Sequence, residues 1–135
     1  TKEKETNFGD DSLLEVLQEN NFEVNSTALQ LNMHRNTITA RFKGMVFASL
    51  AKNDLDIDIT TQELSGDPTK YSQAYKMISE YYKNLKRIIE KFKNEEQAIK
   101  EVKKLNKNIP ARYHYVISSL VRSFMPKPSS DKQEI

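Results

Sequence analysis

Apolar residues recur at helical spacing along most of this chain, and the interruptions between the stripes mark its elements. Leu13, Leu14 and Leu17 form a first stripe, which Asp11 or Ser12 can cap, since Ser12 followed by Glu15 fits a capping box. That helix should end near Asn20-Asn21. A second, short helix is expected from about Asn25, burying Ala28, Leu29 and Leu31. Asn32 follows, and asparagine tolerates the left-handed backbone that closes a helix. A third helix starts at His34 or Arg35 and runs to about Ala51.

Farther along, Asp67 and Pro68 read as an N-cap followed by proline in the first helical position. Tyr71, Tyr75, Ile78, Tyr82, Leu85, Ile89 and Phe92 then alternate steps of four and three, a seam for packing against another helix. A further helix covers Glu95–Lys107 with Ile99, Val102 and Leu105 inward, and Pro110 opens a last one with Tyr113, Ile117, Leu120 and Phe124 on one face. Both ends are polar and aperiodic.

One segment repeats. Residues 16–32 set above residues 49–65 pair Leu17, Asn20, Thr27 and Leu31 with Leu50, Asn53, Thr60 and Leu64. Phe22 meets Leu55, Val24 meets Ile57, and Asn25 meets Asp58. The agreement in apolar spacing and cap positions predicts a second helix–turn–helix-like unit, whose first helix continues the third helix. The expected fold is all-α: a trihelical helix-turn-helix, this second unit, and a C-terminal helical bundle. The expected organisation is a linker tail (1–11), a helix-turn-helix unit (12–48), the second unit with the C-terminal helices packed on it (49–125), and a disordered tail (126–135).

Composition narrows the function. The chain of 135 residues has no cysteine, so disulfides and thiolate zinc sites are excluded. Its three glycines and four prolines suit helices better than a fold of many tight turns. No apolar run approaches the length of a membrane span. The chain opens on Thr1, and a parent protein extending upstream is expected. The net charge of +2 says little, but its distribution is uneven. Residues 34–48 carry three basic side chains and no acid, and residues 70–107 carry eleven against five acids, which makes a polyanion a plausible partner.

The third helix has the most selective chemistry. With Ile38, Phe42 and Met45 inward on a helical wheel, Asn36, Ala40 and Lys43 point outward. Thr37 and Thr39 lie on the shoulders, Arg41 on a flank, and His34 and Arg35 in the first turn. A helix entering the major groove needs this set: Arg bonds guanine bidentately, Asn bonds adenine, and Thr and Ala allow close approach to a thymine methyl. Arg41 and Lys43 are placed to reach phosphate. Phe47 falls on the outward side, and the second unit accounts for it by covering that face beyond Lys43. The expected DNA-binding residues are His34, Arg35, Asn36, Thr37, Thr39, Ala40, Arg41 and Lys43. Catalytic residues, metal ligands and cofactors are expected to be none.

Residues 20–43, NNFEVNSTALQLNMHRNTITARFK, resemble the helix-turn-helix of the factor for inversion stimulation (Fis), a module that also closes bacterial activators of sigma-54 RNA polymerase. Ala28 matches the small residue of helix two, Leu31 its leucine, Met33 the aliphatic in the turn, and Arg35-Asn36-Thr37 the opening of the recognition helix. Asn32 stands where glycine is usual, and His34 where serine commonly caps. The distal helices are similar to C-terminal tails of some of those activators. The resemblance implies a bacterial transcriptional regulator's output domain that binds double-stranded DNA as a homodimer, in the cytoplasm at the nucleoid. It also implies ATPase and sensor domains upstream.

A rival resemblance is to the helix-turn-helix of sugar-diacid and purine-catabolism regulators, which shares residues 34–37, HRNT. A different class of reading is a helical interaction or oligomerisation module whose basic helix docks an acidic protein. The tyrosine seam serves either a dimer or the chain's own last helices. Tyrosine spacing fits core packing better than base stacking, and a lysine-rich face over residues 83–107 is commonly just solvated. No phosphate loop, acid–base pair or nucleophile constellation is visible.

Overall fold

The computed structural model describes residues 9–66 and 72–125. Within them the chain is all-α: seven helices and one 3-10 turn, with no strand among the described residues. The helices are α1 (Asp10–Glu19), α2 (Val24–Leu31), α3 (Arg35–Lys52), α4 (Ile57–Ser65), α5 (Gln73–Ile89), α6 (Glu95–Leu105) and α7 (His114–Phe124), with the 3-10 turn at Ala111–Tyr113. The expected cap at Asp67, the proline at Pro68, Tyr71, residues 1–8 of the linker and the tail 126–135 lie outside the described residues. Ser72 caps α5 instead, its hydroxyl accepting from the Tyr75 amide.

Local chemistry explains the boundaries. Helix α1 begins one turn earlier than the Ser12 capping box predicts. Gly9 supplies the N-cap backbone, and Asp10 and Asp11 place negative charge in the first turn, where the helix dipole favours it. At the other end the Phe22 amide donates to Leu17 O (2.7 Å) and the Asn21 amide to Gln18 O (3.1 Å), the crossed pair that closes a helix. Helix α2 ends the same way: Met33 N–H reaches Ala28 O (3.0 Å) and Asn32 N–H reaches Leu29 O (3.3 Å), with Asn32 left-handed at φ 54°. A three-residue turn, Asn32 to His34, then leads into α3.

The 33-residue repeat is present in the backbone. Asn21 and Phe22 sit at φ 52° and 63°; Asp54 and Leu55 sit at 54° and 64°. The Leu55 amide donates to Leu50 O (2.8 Å), as Phe22 does to Leu17. Glu23 caps α2 through the Ser26 amide, and Asp56 caps α4 through the Ile59 amide. Helix α4 runs one residue longer before its left-handed cap at Gly66.

Helix α3 is the axis of the molecule, contacting every other helix except α6 as well as the 3-10 turn. Ile38 and Phe42 face α1 and α2, and Phe22 meets Phe42 at 5.5 Å between ring centroids. Beyond Lys43 the helix is buried nearly all round, through Gly44, Met45, Val46, Phe47, Ser49 and Leu50. Phe47 is 1% exposed, as expected of a helix that passes from one unit into the next. A single core joins Leu13 and Leu17 to Ile78, Leu85, Val102, Ile117 and Leu120, so the helix-turn-helix and the C-terminal helices share one interior. Much of the tyrosine seam packs within the chain: Ile78, Leu85 and Ile89 are buried and Tyr82 lies against Phe124, 5.2 Å between centroids.

Two leucines expected inside are outside. Leu29 is 83% exposed, because the fully buried Thr27 holds the inward position of α2 and Leu29 lies two residues farther round. Leu105 is 52% exposed for a similar reason: Asn106, one turn beyond Val102, turns inward and donates its amide to Val102 O (2.8 Å).

Candidate nucleic-acid interface

The eight residues expected to read DNA fall into three groups. His34, Arg35, Asn36 and Thr37 are exposed at the start of α3. His34 is itself the cap, its Nδ1 accepting from the Asn36 amide at 3.2 Å, so an imidazole does here what a serine hydroxyl does in most helices. Among the described residues the side chains of Arg35, Asn36 and Thr37 have no hydrogen-bond or ion-pair partner. They share the front of the molecule with a shallow groove between α2 and α3 lined by Asn25, Leu29, Asn32 and His34.

The second group is Thr39, Ala40 and Lys43. The Thr39 hydroxyl turns back on its own helix, toward Arg35 O (3.2 Å) and Asn36 O (3.1 Å). All three residues line a cleft of about 210 Å³ whose opposite wall is Tyr81 and the end of α6 with the residues after it. The outward orientation expected of Lys43 is not what the structure contains. Its Nζ donates to Asn106 Oδ1 at 2.8 Å and lies 5.4 Å from the centre of the Tyr81 ring. Burial pushes its pKa below the usual lysine value. The cause is the C-terminal module, which covers the last turns of what the sequence presents as an open face.

Arg41 is the third group, and it too differs from expectation. Its side chain is 14% exposed and bonds Asp10 Oδ1 at 3.2 Å. Asp10 is the hub of a small charged cluster, accepting also from Arg112 Nη2 (2.6 Å) and from the Tyr113 hydroxyl. Burial alone would raise the Asp10 carboxyl; the hydrogen bonds from Tyr113, Arg112 and Arg41 outweigh it and hold the pKa below the ordinary value. Burial and then Asp10 itself push the Tyr113 phenol up to about 12. Arg41 therefore fastens α3 to the first helix, and reaching a phosphate would mean leaving that carboxylate.

Asp10, Asn106, Arg112 and Tyr113 shape this surface; the apolar spacing places Tyr113 on the inward face of the last helix, and it marks neither Asp10 nor Arg112. Asn106 leaves a trace, a polar residue in the inward register of α6. Among the described residues no cluster of three histidine, aspartate or glutamate side chains is placed to hold a metal ion, and no helix is long and apolar enough to cross a membrane. No protein-family model, curated protein or solved structure matches the chain.

Proposed function

We propose that this chain is a sequence-specific double-stranded DNA-binding module, the output domain of a bacterial transcriptional regulator of the sigma-54 activator type. The observation that carries the reading is the first turn of α3. Arg35, Asn36 and Thr37 are exposed and unengaged among the described residues, at the end of a helix whose backbone N–H groups favour an anion. Recognition helices contact base edges with their N-terminal residues, and these are the residues on offer. Arg35 reads a guanine edge, Asn36 an adenine edge, and Thr37 supplies a hydroxyl and a methyl; each good bidentate contact is worth about 1–3 kcal/mol of discrimination. Arg41 and Lys43 serve the fold rather than phosphate. In keeping with the resemblance, the module works as a homodimer at the nucleoid, below upstream ATPase and sensor domains.

Selection of bound sequences from a random duplex pool tests this directly. A defined motif, relaxed at one position by Arg35→Ala without loss of thermal stability, is the expected result. A pool that emerges unenriched would refute it, and would favour a protein-docking module built around the exposed Leu29.

A further inference from the structure

The loop that follows α6 lies beside the first turns of α3. The residues after Leu105 press on the flank of α3: Asn106 bonds Lys43 directly, and Asn108 and Leu105 share a cleft with Asn36 and Ala40. An α-helix with its side chains is roughly 10–12 Å across. The major groove is about 12 Å wide, so a recognition helix fills it. A segment that sits against the side of that helix, as Asn106 and Asn108 do, therefore meets the wall of the groove rather than its floor. Residues 103–109 carry Lys103, Lys104 and Lys107 with no acid. All three lysines are exposed, as is Asn108, and among the described residues none of these lysines pairs with a carboxylate.

Resting on the DNA reading, we infer that the end of α6 and the loop after it form a second contact surface, in which Lys104, Lys107 and Asn108 hold backbone phosphates beside the base-reading turn of α3. The C-terminal module thereby does two things with one segment. Asn106 turns inward and fixes it to Lys43, while its neighbours turn outward to the polyanion. The phosphates that Arg41 and Lys43 leave uncontacted are met from this segment instead.

The test uses the whole chain and a duplex taken from the selected pool. Fluorescence anisotropy across a salt series compares the wild type with the double variant K104A/K107A, and hydroxyl-radical footprinting follows the same pair. Each phosphate contact contributes about 0.9 to the slope of log affinity against log salt, so the double variant should bind with a slope flatter by roughly 1.8. Its footprint should lose sugar-phosphate protection beside the motif while the motif itself is unchanged. Lysines in a last helical turn also offset the helix dipole; that role alone would lower the thermal midpoint and leave slope and footprint as they were. A wild type that binds with a motif, together with an unaltered slope and footprint in the variant, overturns the second surface only. A wild type that binds no duplex overturns the DNA reading and this surface with it.

Discussion

Lys43 Nζ donates to Asn106 Oδ1 at 2.8 Å, across 63 positions of sequence. The bond joins the helix with the most DNA-like face to the loop that covers half of it. The ammonium is held by a carboxamide and the face of Tyr81. Its lowered pKa records the cost of keeping it charged in partial burial. A base whose folded pKa is depressed binds fewer protons in the folded state, so stability rises with pH as the ordinary lysine range is approached from below. Tyr81, pushed by burial up to about 12, and Tyr113 act in the opposite direction above pH 10, since the unfolded chain ionises them first. Subtracting the curve of Lys43→Met from that of the wild type isolates the lysine. The difference should grow with pH up to about 10. The same variant should leave the salt slope of duplex binding unchanged, where a lost phosphate contact would flatten it by about 0.9.

Asp10 ties α1 to the 3-10 turn and to α3 at once, and its side chain is 20% exposed. Because its folded pKa is depressed, the stability it contributes is present above the ordinary aspartate value near 4 and is lost as pH falls through the lower folded value. Asp10→Asn removes the charge that Arg41, Arg112 and Tyr113 share. It should destabilise by about 1–3 kcal/mol at neutral pH, the range for breaking a hydrogen bond to a charged, largely buried partner. Urea melts from pH 7 down to pH 2 should show the gap between variant and wild type closing at the acid end. A constant gap would mean that the carboxylate's charge contributes nothing.

Thr27 and Thr60 occupy the same place in the two copies of the repeat and are both fully buried. Their hydroxyls differ. Thr27 Oγ1 donates to Glu23 O at 2.9 Å, while Thr60 Oγ1 has no partner among the described residues. Thr27→Val should therefore cost about 0.5–1.5 kcal/mol, and Thr60→Val should be neutral or stabilising, because it removes a buried polar atom that nothing satisfies. Thermal melts of the two single variants decide this, and equal losses would show that the Thr60 hydroxyl is bonded after all.

The repeat also shows what local pattern can carry. Turn and cap signals act over four or five residues, so the left-handed Asn32, the break after Asn20 and the likeness of Phe22 to Leu55 were all legible. The apolar spacing marked α5 and α7 and most of their buried positions. Leu29 and Leu105 were misplaced because periodicity assigns the inward slot to the apolar residue, whereas Thr27 and Asn106 can take it by bonding the helix's own carbonyls. The direction of Arg41 and Lys43 was beyond any local rule. It is set by Asp10, Asn106 and Tyr81, residues between 31 and 63 positions away, and a helical wheel treats whatever does not face the first core as solvent. The unengaged state of Arg35, Asn36 and Thr37 was readable for the opposite reason: they lie in the first turn, ahead of the part of α3 that the last helices cover.

Gly44 sits in the middle of α3, where alanine would ordinarily be the better helix former by about 1 kcal/mol. Its role is to admit Tyr113. A Cβ built on Gly44 would lie 2.4 Å from Tyr113 Cδ2 and 2.9 Å from Cγ, and Cγ lies on the ring axis, so no rotation of the ring moves it away. Tyr113 in turn reaches Asp10, so the close approach at Gly44 supports the whole Asp10 cluster. Gly44→Ala should thus destabilise by about 1–3 kcal/mol, the cost of overpacking a closed site. In a Tyr113→Ala background the clash is gone, and the same substitution should stabilise by up to about 1 kcal/mol through helix propensity alone. The double-mutant cycle is therefore expected to show a change of sign at Gly44. If Gly44→Ala already stabilises the chain with Tyr113 intact, the ring does not lie against α3, and the C-terminal helices dock on it in another way.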